Sequence, residues 1–118
     1  MTLLSRVLRR GRVPEPQVTA AVAAAVDAVP GARGHDIAYN HLQYSSGALS
    51  GVVDVAAADD FDEVLRAAYA ALAGCLGDDA DRVVVYLTGR GPDGATIGPD
   101  ALALPERPTG RDLARRYR

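Results

Sequence analysis

The sequence predicts an α+β fold, a two-layer sandwich in which two helices cover one face of a mostly antiparallel sheet and a short helix closes the chain. Three observations carry the prediction. Val18, Val22, Val26 and Val29 recur at helical steps of four, four and three, with alanines between them. Residues 82–88 read R-V-V-V-Y-L-T, the unbroken apolar run of an inner strand. Between these segments lies a β-favouring stretch broken at Ser45-Ser46-Gly47, which reads as a hairpin. The expected order is α-β-β-α-β-(β).

Taken along the chain, Pro14 and Pro16 suit the opening turn of the first helix, and Pro30-Gly31 stops it. Residues 35–44 lose the helical stripe and form the first strand. In the second, Leu49, Gly51, Val53 and Val55 alternate with Ser50, Val52, Asp54 and Ala56. Asp60 with Glu63 three residues on predicts a capping box. The helix it opens carries Phe61, Leu65, Ala68, Leu72, Cys75 and Leu76 as a buried stripe and ends at Gly77-Asp78-Asp79. The strand at 82–88 should be central. Residues 89–94 turn, 95–97 return as an edge strand, and Gly98-Pro99 closes it. An extended path over 101–108 leads to Thr109-Gly110-Arg111-Asp112, a second capping box, opening a last helix that Leu113 and Tyr117 dock.

A chain of 118 residues suits one domain. We divide it into a basic arm over 1–13, an α+β body over 14–105, and an Arg-rich tail or short helix over 106–118.

The run V-P-G-A-R-G-H-D-I-A-Y-N-H-L-Q-Y-S-S-G-A-L-S-G-V-V-D-V, with the acidic-capped helix after it, resembles the ferredoxin-like cytoplasmic domain of cation-efflux transporters. There, too, a helix ends at Pro-Gly, a hairpin follows and a second helix begins after a carboxylate. The resemblance covers about residues 18–88 and implies a small sheet that often pairs into dimers. It carries over no functional residue, because the two histidines here are not arranged as a metal site.

Charge is segregated. All thirteen basic residues are arginines. Arg6, Arg9, Arg10 and Arg12 give the first arm a formal +4, and Arg107, Arg111, Arg115, Arg116 and Arg118 give the tail +3. The body holds thirteen carboxylates against four arginines, a formal −9. Such asymmetry governs association rather than folding. The absence of lysine matches the codon bias of a high-GC bacterial genome, and it excludes Schiff-base lysine chemistry and the phosphate-binding P-loop. Cys75 alone forms no internal disulfide, and its apolar run predicts a buried thiol in a reducing compartment. With no secretion-signal core and no apolar stretch near the roughly 20 residues of a membrane span, the expected location is cytoplasmic.

Few patterns point to chemistry. Gly89-Arg90-Gly91-Pro92-Asp93-Gly94 matches the G-x-G-x-x-G dinucleotide fingerprint. The match predicts a hairpin turn, since A-T-I-G-P after it cannot open the helix that would hold a pyrophosphate. His35 and His41, with Asp36 and Cys75 as further donors, invite a metal. Six residues along a strand, however, is about 20 Å at ~3.3 Å per residue, too far for one ion, so only a dimer-bridging site would use both. Ser45 and Ser46 lack a nucleophile elbow, and the tyrosines read as core or interface aromatics. No catalytic, cofactor-binding or metal residue is assigned, and no cofactor is expected.

Two acidic clusters remain, Asp59, Asp60, Asp62 and Glu63, then Asp78, Asp79 and Asp81, neither with calcium-loop spacing. As partner-binding residues we select Asp59, Asp60 and Asp62 on the acidic face and Arg111, Arg115 and Arg116 in the tail. The expected function is that of a small non-catalytic interaction module, a homodimer, adaptor or inhibitor/immunity-type partner of another protein, using its sheet or acidic faces. One alternative is a ferredoxin-like enzyme with a pocket of His35, His41, Tyr39 and Tyr86. The other is a membrane-surface or polyanion adaptor acting through the arginine arms, with Leu3, Leu4, Val7 and Leu8 making the first arm amphipathic. Nucleic acid is disfavoured by the acidic body. The arms are read first as folding back onto that body.

Overall fold

A computed structural model describes residues 13–41 and 47–118. The first arm through Arg12, its amphipathic pattern, and the Tyr44-Ser45-Ser46 part of the hairpin turn lie outside the described residues.

Helix α1, Glu15–Asp27, starts with Pro16 in its first turn and buries Val18, Val22 and Val26 completely. Strands β1, Ala32–Asn40, and β2, Ala48–Val55, pair antiparallel, as expected of the hairpin. Helix α2, Asp60–Leu76, carries the chain back across the sheet, so strand β3, Val84–Arg90, runs parallel to β2. A two-residue strand β4, Thr96–Ile97, returns antiparallel to β3. The sheet order is β1-β2-β3-β4, which makes β3 the inner strand that its apolar run predicts. Two of the three pairings are antiparallel. The parallel one is made possible by the α2 crossover.

Both long helices pack on the sheet face formed by Tyr39, Leu49, Val53, Val55, Val85 and Leu87. The α2 stripe buries Phe61, Leu65, Ala68 and Leu72 as expected, and Val64 and Tyr69 widen it. Cys75 departs from expectation. It is half-buried and packs against the margin of the core. The predicted Asp60 cap is displaced by one residue: Asp60 is already helical, and its Oδ2 accepts the Ala57 N–H at 3.0 Å, bracing the loop before the helix. Residues Gly77–Arg82 form a 3-10 turn where the sequence shows only a helix stop, and a second turn, Pro99–Leu102, interrupts the path expected to be extended.

The C-terminal segment completes the sheet edge. Val85 N–H donates to Pro108 C=O at 2.8 Å and Gly110 N–H to Val83 C=O at 2.8 Å, so this stretch covers the start of β3 while β4 covers its end. Helix α3, Gly110–Tyr117, opens with the predicted capping box: Asp112 N–H donates to Thr109 Oγ1 at 3.3 Å and Thr109 N–H to Asp112 Oδ2 at 2.9 Å. Leu113 is fully buried. A Cβ on Gly110 would overlap the Ala80 carbonyl, so glycine is what lets α3 seat on the 3-10 turn.

Docking of α3 is electrostatic as well as apolar. Arg116 grips Asp62 with two nitrogens, Nε to Oδ1 at 3.1 Å and Nη2 to Oδ2 at 3.2 Å, while its Nη1 donates to Leu102 C=O at 2.9 Å. Tyr117 donates its hydroxyl to Asp62 Oδ1 at 2.6 Å. The Arg116 hydrogen bond, against partial burial and helped by Tyr117, holds the Asp62 carboxyl below its ordinary range. A carboxyl lowered in the folded state stabilises fully above its unfolded value, about 3.9, and that contribution disappears as pH falls through the lowered value. Arg116→Gln should therefore lose less stability than the wild type between pH 6 and pH 3, read from urea midpoints. Parallel pH profiles would exclude this role for the pair.

Candidate functional site

Both long helices cover one sheet face; on the second, Asp36, Ala38, Tyr86 and Arg90 are exposed, while Ala48 is buried. Alternation places Asp36, Ala38 and Asn40 of β1, Ala48, Ser50, Val52 and Asp54 of β2, and Val84, Tyr86, Thr88 and Arg90 of β3 on that side. Register aligns them in rows, one running Ala38, Ser50, Tyr86 and the next Asp36, Val52, Thr88. Tyr86 is 43% exposed, the one large hydrophobic side chain so exposed among the described residues. Its neighbours across the row are small, so the ring stands beside a shallow trough. Arg107 lies 5.8 Å above the ring on its tail side.

One end of this face is charged. Asp54 and Arg90 share a register position on the parallel pair, and Arg90 Nε donates to Asp54 Oδ1 at 2.6 Å. That hydrogen bond holds the Asp54 carboxyl below its usual range. A groove of about 480 Å³ opens beside the pair, lined by Arg33, Asp54, Arg90, Gly91, Pro92 and Gly94 among others. It lies at the carboxyl ends of β2 and β3, the side of adjacent parallel strands where open α/β sheets bind ligands. Arg33 reaches it from an irregularity in β1: Ala32 pairs with Val55 and Gly34 with Asp54, so Arg33 is the extra residue of a bulge.

Comparison with protein-family models, curated proteins and solved structures found no match to this chain. The site rests on geometry alone.

The residues selected from sequence are distributed differently. Asp62 and Arg116 meet each other, which places the tail on the acidic helix as self-complementary charge predicts. Asp60 is committed to the Ala57 amide and packs against Gly31. Asp59, Arg111 and Arg115 are exposed, with no ion pair among the described residues.

Nor do the histidines converge. Helix α1 lies antiparallel beside β1 and is tied to it along its length: His35 Nε2 meets Asp27 Oδ1 at 2.8 Å, Tyr39 N–H donates to Thr19 Oγ1 at 3.0 Å, and His41 N–H to Glu15 Oε2 at 2.6 Å. These bonds satisfy edge-strand donors with helix side chains. His41 Nε2 donates to Val13 C=O at 2.8 Å, and its Nδ1 is hydrogen-bonded to Tyr39 Oη at 3.3 Å. Tyr39 is buried under the helices and Tyr86 stands on the opposite face, so the His/Tyr pocket is not assembled. Among the described residues no group of three His, Cys, Asp or Glu is placed to hold a metal ion.

The glycine fingerprint makes the β3–β4 turn, as its composition predicts. Gly91 N–H donates to Ala95 C=O at 3.0 Å, Gly94 takes φ +86°, and Asp93 Oδ1 accepts the Ala95 N–H at 3.0 Å. Sequence reasoning missed Arg33 and Arg90 as a pair. Their distance along the chain hides that Arg33 of β1 and Arg90 of β3 line one groove on either side of Asp54 of β2, and the only local hint is Gly34 beside Arg33, a residue type common at bulges.

Proposed function

We propose that this protein is a non-catalytic interaction module whose open sheet face associates with a second copy of itself. The row Ala38, Ser50, Tyr86 carries the reading. A two-fold axis parallel to the strands and passing over β2 sets the Tyr86 ring of one copy above the Ala38 trough of the other, and the reverse. Such isologous contact needs one surface that is both knob and hole. Small side chains also permit the roughly 10 Å approach of packed sheets. The resemblance to transporter cytoplasmic domains, which implies a small sheet that often pairs into dimers, supports self-association. Aromatic anchors surrounded by small contacts dominate many interfaces.

Tyr86→Ser should raise the dimer dissociation constant at least tenfold in analytical ultracentrifugation. Because the side chain is exposed, the thermal midpoint of the dissociated protein should stay within the error of the wild type. A wild type that is monomeric at high micromolar concentration, or a Tyr86→Ser variant that dimerises normally, overturns the reading.

A further inference from the structure

We propose that the groove at the carboxyl ends of β2 and β3 is an oxyanion site, in which Arg33 and Arg90 clamp a phosphate or carboxylate group and Asp54 sets the orientation of Arg90.

Three features converge on this groove, at the charged end of the open face. Arg90 spends only Nε on Asp54, so both terminal nitrogens keep their donors. A guanidinium anchored in this way presents its fork in a fixed plane, the geometry that matches two oxygens of a carboxylate or phosphate. Arg33, the second cation, engages no acceptor among the described residues. Two guanidiniums against one carboxylate leave the groove with a formal +1, inside a body that is otherwise strongly acidic. A ligand anion balances that excess.

The bulge explains why the second cation is there. Regular pairing from Ala32 to Gly34 would send consecutive β1 residues to alternate faces, each with one partner on β2. Two residues instead span the step from Val55 to Asp54, and the surplus one is Arg33. A bulge sacrifices ladder pairing to re-aim a side chain, and here the re-aimed side chain lines the groove. Gly34 beside it leaves the Asp54 carboxylate uncovered, since even a Cβ there would stand 3.7 Å from Oδ2. Arg33, the Asp54 carboxylate that orients Arg90, and the open backbone of the Gly91–Gly94 turn thus come from three strand ends.

The test is an NMR titration of the full chain with sodium phosphate, sodium succinate and sodium chloride at matched ionic strength, following the Gly34, Asp54, Gly91 and Gly94 amides and the arginine Nε signals. Saturable shifts confined to these signals are expected with phosphate or succinate and not with chloride. Saturation by phosphate alone assigns a phosphoryl ligand; saturation by succinate alone assigns a carboxylate. Arg33→Gln and Arg90→Gln should each weaken binding at least tenfold, while Arg66→Gln on α2 should leave it unchanged. Both groove arginines are exposed, so these variants keep the fold, which the same spectra verify. Repeating the titration on Tyr86→Ser separates this site from self-association, because the groove belongs to one chain and should bind equally well there. No saturation by either anion, chloride shifts of the same size, or an Arg33→Gln variant that binds like the wild type overturns the proposal.

Discussion

Gly51→Ala should destabilise the protein by about 2 to 6 kcal/mol, against a total of ~5–15 kcal/mol for a typical domain. Gly51 sits in the middle of β2 opposite Ile37, with φ +146°, a backbone conformation that residues with a side chain rarely adopt. Holding alanine there costs on the order of 1–3 kcal/mol. The added methyl would also overlap the Asp36 carbonyl oxygen and stand 2.9 Å from the Ile37 Cα. Those are backbone atoms of the paired strand, so relief requires the hairpin itself to open, and overpacking of this kind costs about 1–3 kcal/mol more. Gly74→Ala is the matched control. It lies in α2 with nothing within 4 Å of its Cβ position, and should stabilise by ~0.5–1 kcal/mol. Urea midpoints that move equally for both substitutions would show that close strand approach does not constrain Gly51.

The contrast between these glycines marks how far the fold is legible in the sequence. Alternation and helical stripes report which side of an element is apolar, and they place Val18, Val22, Leu49, Val53 and Leu72 in the core without knowledge of neighbours. Capping is legible where the cap is local, as at Thr109 and Asp112. It slips at Asp60, whose carboxylate is drawn to a loop amide that the tertiary path presents. The parallel alignment of β2 and β3 is invisible to any local pattern, and with it the Asp54–Arg90 pair, because both strands read the same whichever way they run. Thirty-six positions separate these two residues, and only the α2 crossover brings them together.

Charge segregation behaves likewise. The formal excess of arginine in the tail is evident from composition, but its use depends on which carboxylate lies within reach once α3 is seated. Arg116 finds Asp62, and Arg66 and Arg116 flank the Tyr117 ring at 5.1 and 5.6 Å. Arg118 lies 5.8 Å from the Tyr69 ring. Two of the tail's five arginines, Arg116 and Arg118, thus lie against α2. Among the described residues, Arg111 and Arg115 stay exposed and without an ion pair in the tail, and in the body, where composition alone shows only excess acid, Arg33 and the free face of Arg90 do the same.

Phe61 and Gly89 should prove coupled in a double-mutant cycle. Phe61, the sole phenylalanine, is fully buried at the start of α2, and a Cβ on Gly89 would stand 2.9 Å from its Cδ1 and 3.2 Å from its Cγ. The glycine of β3 is thus the floor on which the ring lies. Phe61→Ala removes the ring altogether and should cost ~3–5 kcal/mol, part of it for the cavity that remains. Gly89→Ala leaves the ring in place and crowds it, at about 1–3 kcal/mol. Combined, the two changes should cost less than their sum by ~1 kcal/mol or more, because the new methyl enters space the ring has vacated and meets no obstruction there. Residues in contact show interaction energies of ~0.5–3 kcal/mol, whereas distant pairs add to within about 0.5 kcal/mol. Denaturant unfolding of the four proteins decides the matter. Strict additivity would mean that the cost of Gly89→Ala arises elsewhere, with Ile97 of β4, 3.5 Å from the same Cβ position, as the remaining neighbour to test.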